Sequence, residues 1–296
     1  MNQQTLLDEY KAFIEPHLSS SSVIAYVRDV KCYIETMGDK LLTATQSDIE
    51  EFLADLASQL NDKGEIKYKP ASINRQRASI VSLYNFLIDN SMVAHNPASG
   101  IKGINYKECR KEKIDNYLTP MEVAQLIDGI ETNPEINPFN KKRDILMCNL
   151  MVWTGIKINE LIRLKINQFN TDTMEIEIID VNDNSRFLPI TPLLVSNFNS
   201  YMEEREKLVG NEDNDYIFLS ERKAPLSLQL TNHTLNKHRT NAGIEKKVNN
   251  TTLRNTYAMK MFNSGMGVEE LSRLLGHTTI NFTSTFYSEY VSRQKG

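Results

Sequence analysis

Apolar residues recur at helical spacing along nearly the whole of this chain, and the period shortens to two at one place, Met174-Glu175-Ile176-Glu177-Ile178. Turn chemistry follows in Asn182-Asp183-Asn184-Ser185, and Arg186-Phe187-Leu188-Pro189-Ile190 reads as the return strand of a hairpin. One short hairpin among helices leaves most of the core to helix packing. The expected fold class is therefore mainly α, with a small antiparallel sheet in the second half.

Helix signals divide the chain further. Ser19 to Ser22 can cap a helix carrying Ile24, Val27, Val30 and Ile34. Ser47-Asp48-Ile49-Glu50 has the form of a capping box, followed at helical spacing by Ile49, Phe52, Leu53, Leu56 and Leu60. Ile73, Ile80, Leu83, Tyr84 and Leu87 mark another helix, which must end before Asn96-Pro97. These patterns predict a four-helix, all-α domain over residues 1–100. Residues 101–116 are polar and charged, without apolar periodicity, and read as a linker. A new start signal, Thr119-Pro120-Met121-Glu122, opens a mixed domain over residues 117–296, with Met151 and Trp153 expected in its core.

Composition limits the function. A chain of 296 residues with 40% hydrophobic and 24% charged residues buries a real core and is long enough for two domains. Its longest strongly apolar run, Ile145 to Trp153, falls far short of the ~20 residues that span a bilayer. Met1 to Gln4 offers neither the basic nor the apolar region of a signal peptide. Cys32, Cys109 and Cys148 are too dispersed for a disulfide framework or a zinc site, so the expectation is a cytoplasmic protein without a structural metal. The net charge is −4, yet the basic residues cluster. Lys63, Lys67, Lys69, Arg75 and Arg77 lie close in sequence in the first half, and Lys237, Arg239, Lys246, Lys247 and Arg254 in the second. Two such clusters suit a polyanion held by both halves.

Three strings carry the chemistry. They are Thr154-Gly155-Ile156-Lys157-Ile158-Asn159-Glu160-Leu161, then Thr251-Thr252-Leu253-Arg254-Asn255-Thr256-Tyr257-Ala258, then Leu274-Leu275-Gly276-His277, with Tyr287 ten positions beyond His277. Their order and separation resemble the tyrosine recombinase (phage integrase, Xer-like) family, whose signatures are TG-[LM]-R-x-[ST]-E, H-x-L-R-H-[TS]-x-A and L-G-H followed by a tyrosine nine or ten positions on. Ser22 to Asp29, Ile73-Asn74-Arg75 and Asn96-Pro97-Ala98 fit the family's N-terminal half, so the resemblance covers nearly the whole chain.

The resemblance implies a SAM-like core-binding domain followed by an α+β catalytic domain, arranged as a clamp on double-stranded DNA and assembling as a tetramer. It also implies attack of a tyrosine hydroxyl on a phosphodiester, leaving a 3′-phosphotyrosine and needing neither metal nor cofactor. Carried over by position, Arg254 is the second arginine, His277 the histidine of L-G-H and Tyr287 the nucleophile; Phe286 fills the nine-residue spacing, and Tyr290 lies three too far. Lys157 replaces the first arginine, Thr251 and Asn255 replace the two histidines of the second string, and Asn182-Asp183-Asn184-Ser185 stands where a catalytic lysine is expected. Lys157 has two readings, phosphate ligand or salt-bridge partner of Glu160. Expected DNA contacts are Lys69, Arg75, Arg77, Lys246 and Lys247.

Lysine keeps the charge of arginine but not its planar fork. Loss of one oxyanion-type donor costs roughly 2.7–4 kcal/mol, whereas affinity spread over many phosphate contacts changes little. The sequence therefore allows a recombinase with weakened or compensated cleavage, compensation coming from His233, His238, Lys246 or Lys247. It also allows a DNA-holding relative that does not cut.

Overall fold

The computed structural model describes residues 3–104, 116–180, 184–210, 212–277, 280, 283 and 284. The chain divides into two compact units, 1–110 and 111–296.

Among the described residues, the first unit packs four α-helices, α1 (Gln3–Ile14), α2 (Ser20–Met37), α3 (Gln46–Ser58) and α4 (Pro70–Asp89). Ser19 caps α2, its hydroxyl accepting from the Ser22 amide. The cap of α3 is Thr45, not Ser47. Its hydroxyl accepts from the Asp48 amide while the Asp48 carboxylate accepts from the Thr45 amide, so the helix starts two residues ahead of the expected box. Ile24, expected inside, is 70% exposed; Val23, Val30, Tyr33 and Ile34 form the buried stripe of α2 instead. The Tyr33 and Tyr84 hydroxyls meet at 2.9 Å, and Tyr84 donates to the Leu41 carbonyl, so two buried phenols satisfy each other inside an apolar core. Residues 101–104 belong to this unit. Ile101 is buried in its core, and the Asn74 amide group both donates to the Ile104 carbonyl and accepts from the Ile104 amide.

The second unit is built around one helix. It comprises α5 (Pro120–Glu131), α6 (Pro138–Thr154), the short α7 (Ile158–Leu161), strands β1 (Phe169–Asn170), β2 (Glu175–Ile179) and β3 (Ser185–Pro189), then α8 (Pro192–Val209), α9 (Leu228–Asn241), α10 (Asn250–Asn263) and α11 (Val268–Leu275). Thr119 and Glu122 form the expected capping box of α5. Every residue from Arg143 to Val152 is buried, because α6 lies between α5, α8 and α10. A helix buried all round loses its amphipathic stripe, which is why Ile145 to Trp153 reads as a continuous apolar run. Trp153 is only partly buried, with the Lys260 ammonium 3.2 Å from its ring centroid.

The sheet is antiparallel in the order β1-β2-β3, with Ile176 opposite Leu188 and Ile178 opposite Arg186. The period-two pattern captured β2 and β3; the two-residue β1 is too short to carry one. Arg186 shares the inward face with buried Leu188, and β3 packs on α11. That register brings a guanidinium to the end of α11. Among the described residues, no helix is long and apolar enough to cross a membrane.

Candidate active site

The site forms where α11 stops. Gly276 ends the helix in the left-handed region (φ 61°, ψ 45°), as the sequence predicts for a closing glycine. The Gly276 amide donates to the Arg273 carbonyl and the His277 amide to the Ser272 carbonyl, satisfying two of the carbonyls that a helix end leaves open. The next three receive cations. Arg186 Nε donates to the Leu274 carbonyl (3.1 Å), Arg254 Nη2 to the Leu275 carbonyl (2.6 Å) and Lys157 Nζ to the Gly276 carbonyl (2.6 Å). Three elements distant in sequence thus converge on three successive carbonyls at the negative end of a helix dipole, where positive charge is favoured.

A second glycine completes the frame. Gly155 closes α6 with φ 65°, and its carbonyl accepts from Arg254 Nη1 at 2.6 Å. A β-carbon there would stand 2.3 Å from the Tyr257 ring, so the Thr-Gly turn permits the close approach of α10 that delivers Arg254.

Glu160 is the carboxylate of the cluster. It accepts from Arg186 Nη1 at 2.9 Å, from Arg186 Nη2 at 2.7 Å and from the Lys157 amide at 2.9 Å. Lys157 Nζ lies 3.8 Å from Glu160 Oε1, beyond hydrogen-bond reach. The salt bridge that the sequence suggests between Lys157 and Glu160 is present as a loose ion pair, while Arg186 makes the hydrogen bonds to the carboxylate. Burial lowers the Lys157 pKa, opposed by Glu160 and reinforced by Arg254 and Arg186.

His277 follows the glycine, with Nδ1 2.7 Å from the Thr283 hydroxyl. Burial first, then Arg254, Lys157 and Arg186, push its pKa down to about 4. At neutral pH the imidazole is uncharged and able to exchange a proton, within a ring of cations suited to the oxygens of a phosphodiester.

The other expected residues lie in different surroundings. Arg75 is bound through two nitrogens to the buried carboxylate of Asp29, at 2.7 and 3.1 Å. Arg77 donates to the Ile101 carbonyl. Lys246 donates to the Tyr117 carbonyl and to Glu122. Lys69 and Lys247 are exposed. His238 is buried against Asp144, Nε2 to Oδ2 2.8 Å, in a cavity also lined by His233. Neither His238 nor Lys246 hydrogen-bonds to Lys157, Arg254 or His277 among the described residues. Thr251 is exposed, and Asn255 donates to the Asn116 carbonyl. Tyr287, with Phe286, Tyr290, Cys109, Asn182 and Asp183, lies outside the described residues.

Sequence reasoning placed Arg186 on a strand and gave it no role. The available signal was its position: an arginine on the inward side of an alternating strand needs a buried acceptor, and Glu160 supplies it.

An uncharged imidazole with two guanidiniums and an ammonium, mounted on a helical domain, is chemically suited to the oxygens of a phosphodiester. The comparisons give the family. Residues 116–293 match the phage integrase family and residues 7–91 the phage integrase N-terminal SAM-like domain. A tyrosine recombinase of Pseudothermotoga lettingae is 27% identical over 282 residues, covering 94% of this chain and 90% of the relative. Tyrosine recombinase XerD of Staphylococcus aureus is 26% identical over 286 residues, covering 96% and 93%. The XerH site-specific recombinase in a post-cleavage complex with a palindromic difH substrate superimposes with a TM-score of 0.73 at 17% identity, over 92% of this chain and 78% of that one. The chain belongs to the phage integrase family and is a tyrosine-type DNA strand-transferase acting in site-specific recombination.

Proposed function

We propose that this recombinase cleaves double-stranded DNA through Tyr287, with Arg254 and Lys157 holding the scissile phosphate and His277 exchanging a proton with it. The supporting observation is the convergence of Lys157, Arg186 and Arg254 on the carbonyls of residues 274–276, immediately before His277. Attack of the Tyr287 hydroxyl oxygen, which gives up its proton to the uncharged His277, forms the 3′-phosphotyrosine bond and breaks the bond to the 5′ oxygen, which takes up a proton and leaves as a hydroxyl. Religation reverses these steps. The pentacoordinate phosphorane carries more negative charge than the diester, so the cations favour it over the ground state.

Cleavage is slow by the standard of the family pattern. Lys157 offers a point charge in place of a fork, and Thr251 and Asn255 offer no imidazole. DNA is held by the SAM-like unit and the catalytic unit, with exposed Lys69 and Lys247 contacting phosphates, while Arg75, Arg77 and Lys246 shape the surfaces that carry those contacts. The protein works in the cytoplasm as a tetramer on two duplexes.

The test is a nicked suicide duplex whose sequence this chain has itself selected from a random pool. A denaturation-resistant adduct that disappears in Tyr287→Phe supports the assignment; an adduct that persists in that variant sinks it. Binding without any adduct identifies a DNA-holding relative. A faster adduct in Lys157→Arg with Thr251→His marks a decayed site, and no gain in the folded variant refutes the decay.

A further inference from the structure

We propose that Arg186 is a positioning residue for strand transfer: by engaging Glu160 through both guanidinium nitrogens, it keeps that carboxylate from capturing Lys157 and leaves the ammonium available to the phosphate. This inference rests on the reading of Lys157 as a phosphate ligand.

The geometry is one of competition. Glu160 stands three residues after Lys157 at the start of α7, the spacing at which lysine and glutamate commonly pair. Yet Nζ stays 3.8 Å from Oε1 and turns to the Gly276 carbonyl at 2.6 Å. The carboxylate is already occupied, by Arg186 Nη1 and Nη2 and by the Lys157 amide. A carboxylate offers about four lone-pair sites, and the planar fork of arginine fits two of them at once, which a single ammonium cannot match. The Arg186 and Glu160 side chains are only 14% and 10% exposed, so water does little to weaken the pair.

Position reinforces the exchange. Arg186 Nε also holds the Leu274 carbonyl, and its Cζ lies 2.8 Å from where a β-carbon on residue 276 would stand. Gly276 thus leaves room for the guanidinium directly beneath the Gly276-His277 corner. With lysine at residue 157, one ammonium cannot serve a carboxylate and a phosphate at the same time. Arg186 makes the hydrogen bonds to the carboxylate and leaves the Lys157 ammonium hydrogen-bonded to a carbonyl, with Glu160 held at the longer 3.8 Å, so that a phosphate oxygen can displace the carbonyl.

The experiment compares the full chain with Arg186→Gln, Arg186→Lys and the double variant Arg186→Gln with Glu160→Gln. One readout is the rate of adduct formation on the selected nicked duplex; the other is the titration of the Lys157 ammonium followed by NMR without DNA. The charged and titratable groups facing that ammonium are Glu160, Arg254, Arg186 and Asp180, with His277 beside them. Arg186→Gln lets Lys157 close onto Glu160. The adduct rate then falls by about 10²–10³, the loss expected for one electrostatic donor, and the Lys157 titration moves up. Arg186→Lys retains part of the rate. The double variant, lacking the competing carboxylate, regains most of the rate and returns the titration toward its original position. A double variant no faster than Arg186→Gln, or a Lys157 titration unmoved in Arg186→Gln, overturns the proposal. A wild-type chain that forms no adduct while its Lys157 titration responds as described upholds the competition and refutes instead the catalytic reading on which it was built.

Discussion

Two arginines, one in each unit, meet a carboxylate through two guanidinium nitrogens, and their surroundings give the same contact different consequences. In the SAM-like unit Arg75 clasps the buried Asp29, which also pairs with the exposed Arg28 at 3.6 Å, so the hydrogen-bonded charge of Arg75 is neutralised by a carboxylate. In the catalytic unit Arg186 clasps Glu160, but Lys157 and Arg254 stand beside it with their donors on backbone carbonyls. Here three cations converge on three successive carbonyls, with Glu160 hydrogen-bonded to only one of them. A cation held by dipoles keeps its charge for a ligand, whereas a cation held by an anion has largely spent it. Basic residues therefore mark a phosphate site by what they are paired with, more than by how many there are.

The largest test of this contrast is Arg254→Ala. It should slow adduct formation by about 10²–10³, equivalent to roughly 2.7–4 kcal/mol, with much less effect on DNA affinity at fixed salt. An equal loss of cleavage from Arg75→Ala at unchanged stability would erase the distinction between the units. Arg75→Ala should instead destabilise the fold, by about 1–3 kcal/mol in urea unfolding, because it removes two hydrogen bonds from the buried Asp29 carboxylate and leaves it only the exposed Arg28 at 3.6 Å. The lower part of that range is expected, since the Arg75 side chain is 36% exposed and its pair is partly screened.

Gly276→Ala sharpens the comparison from the backbone side. An alanine at φ 61° is strained, and its methyl would press on the Arg186 guanidinium. A loss of about 1–2 kcal/mol in thermal unfolding is expected from the left-handed conformation alone, with slower cleavage as Arg186 shifts. Full stability and full activity in this variant would mean that the corner does not need its glycine.

The last test is the pH dependence of stability. The folded protein keeps His277 neutral down to about 4, whereas the ordinary value is 6.5. Between those limits the unfolded chain binds more protons, so this contribution is fully present above 6.5 and is lost as pH falls toward 4. Denaturant titrations across that window should show a slope that flattens in His277→Gln; an unchanged slope would mean that His277 is not the source of the pH dependence.

Much of this was legible beforehand because its causes are local. The Thr119 box, the Ser19 cap, the β2–β3 hairpin and the Gly276 helix stop each follow from a few neighbouring residues and appear where expected. The α3 start was misplaced because Thr45 and Ser47 both offer a hydroxyl and an acidic residue three positions on. Only the observed reciprocal bonds with Asp48 select Thr45. The partners of Arg75, Lys157 and Lys246 were not readable in the same way, because each depends on which distant group reaches the side chain first.

Left to itself, the sequence determined the main elements, several of their ends and the family, since periodicity, caps and motif order are properties of neighbours along the chain. Tertiary structure alone decided which charges are hydrogen-bonded to which. Glu160 sits three residues from Lys157, yet the register of β3 brings Arg186 across 26 positions of sequence to take its hydrogen bonds, and Lys157 keeps only the longer ion pair. Competition among charges is settled by distance and angle in space.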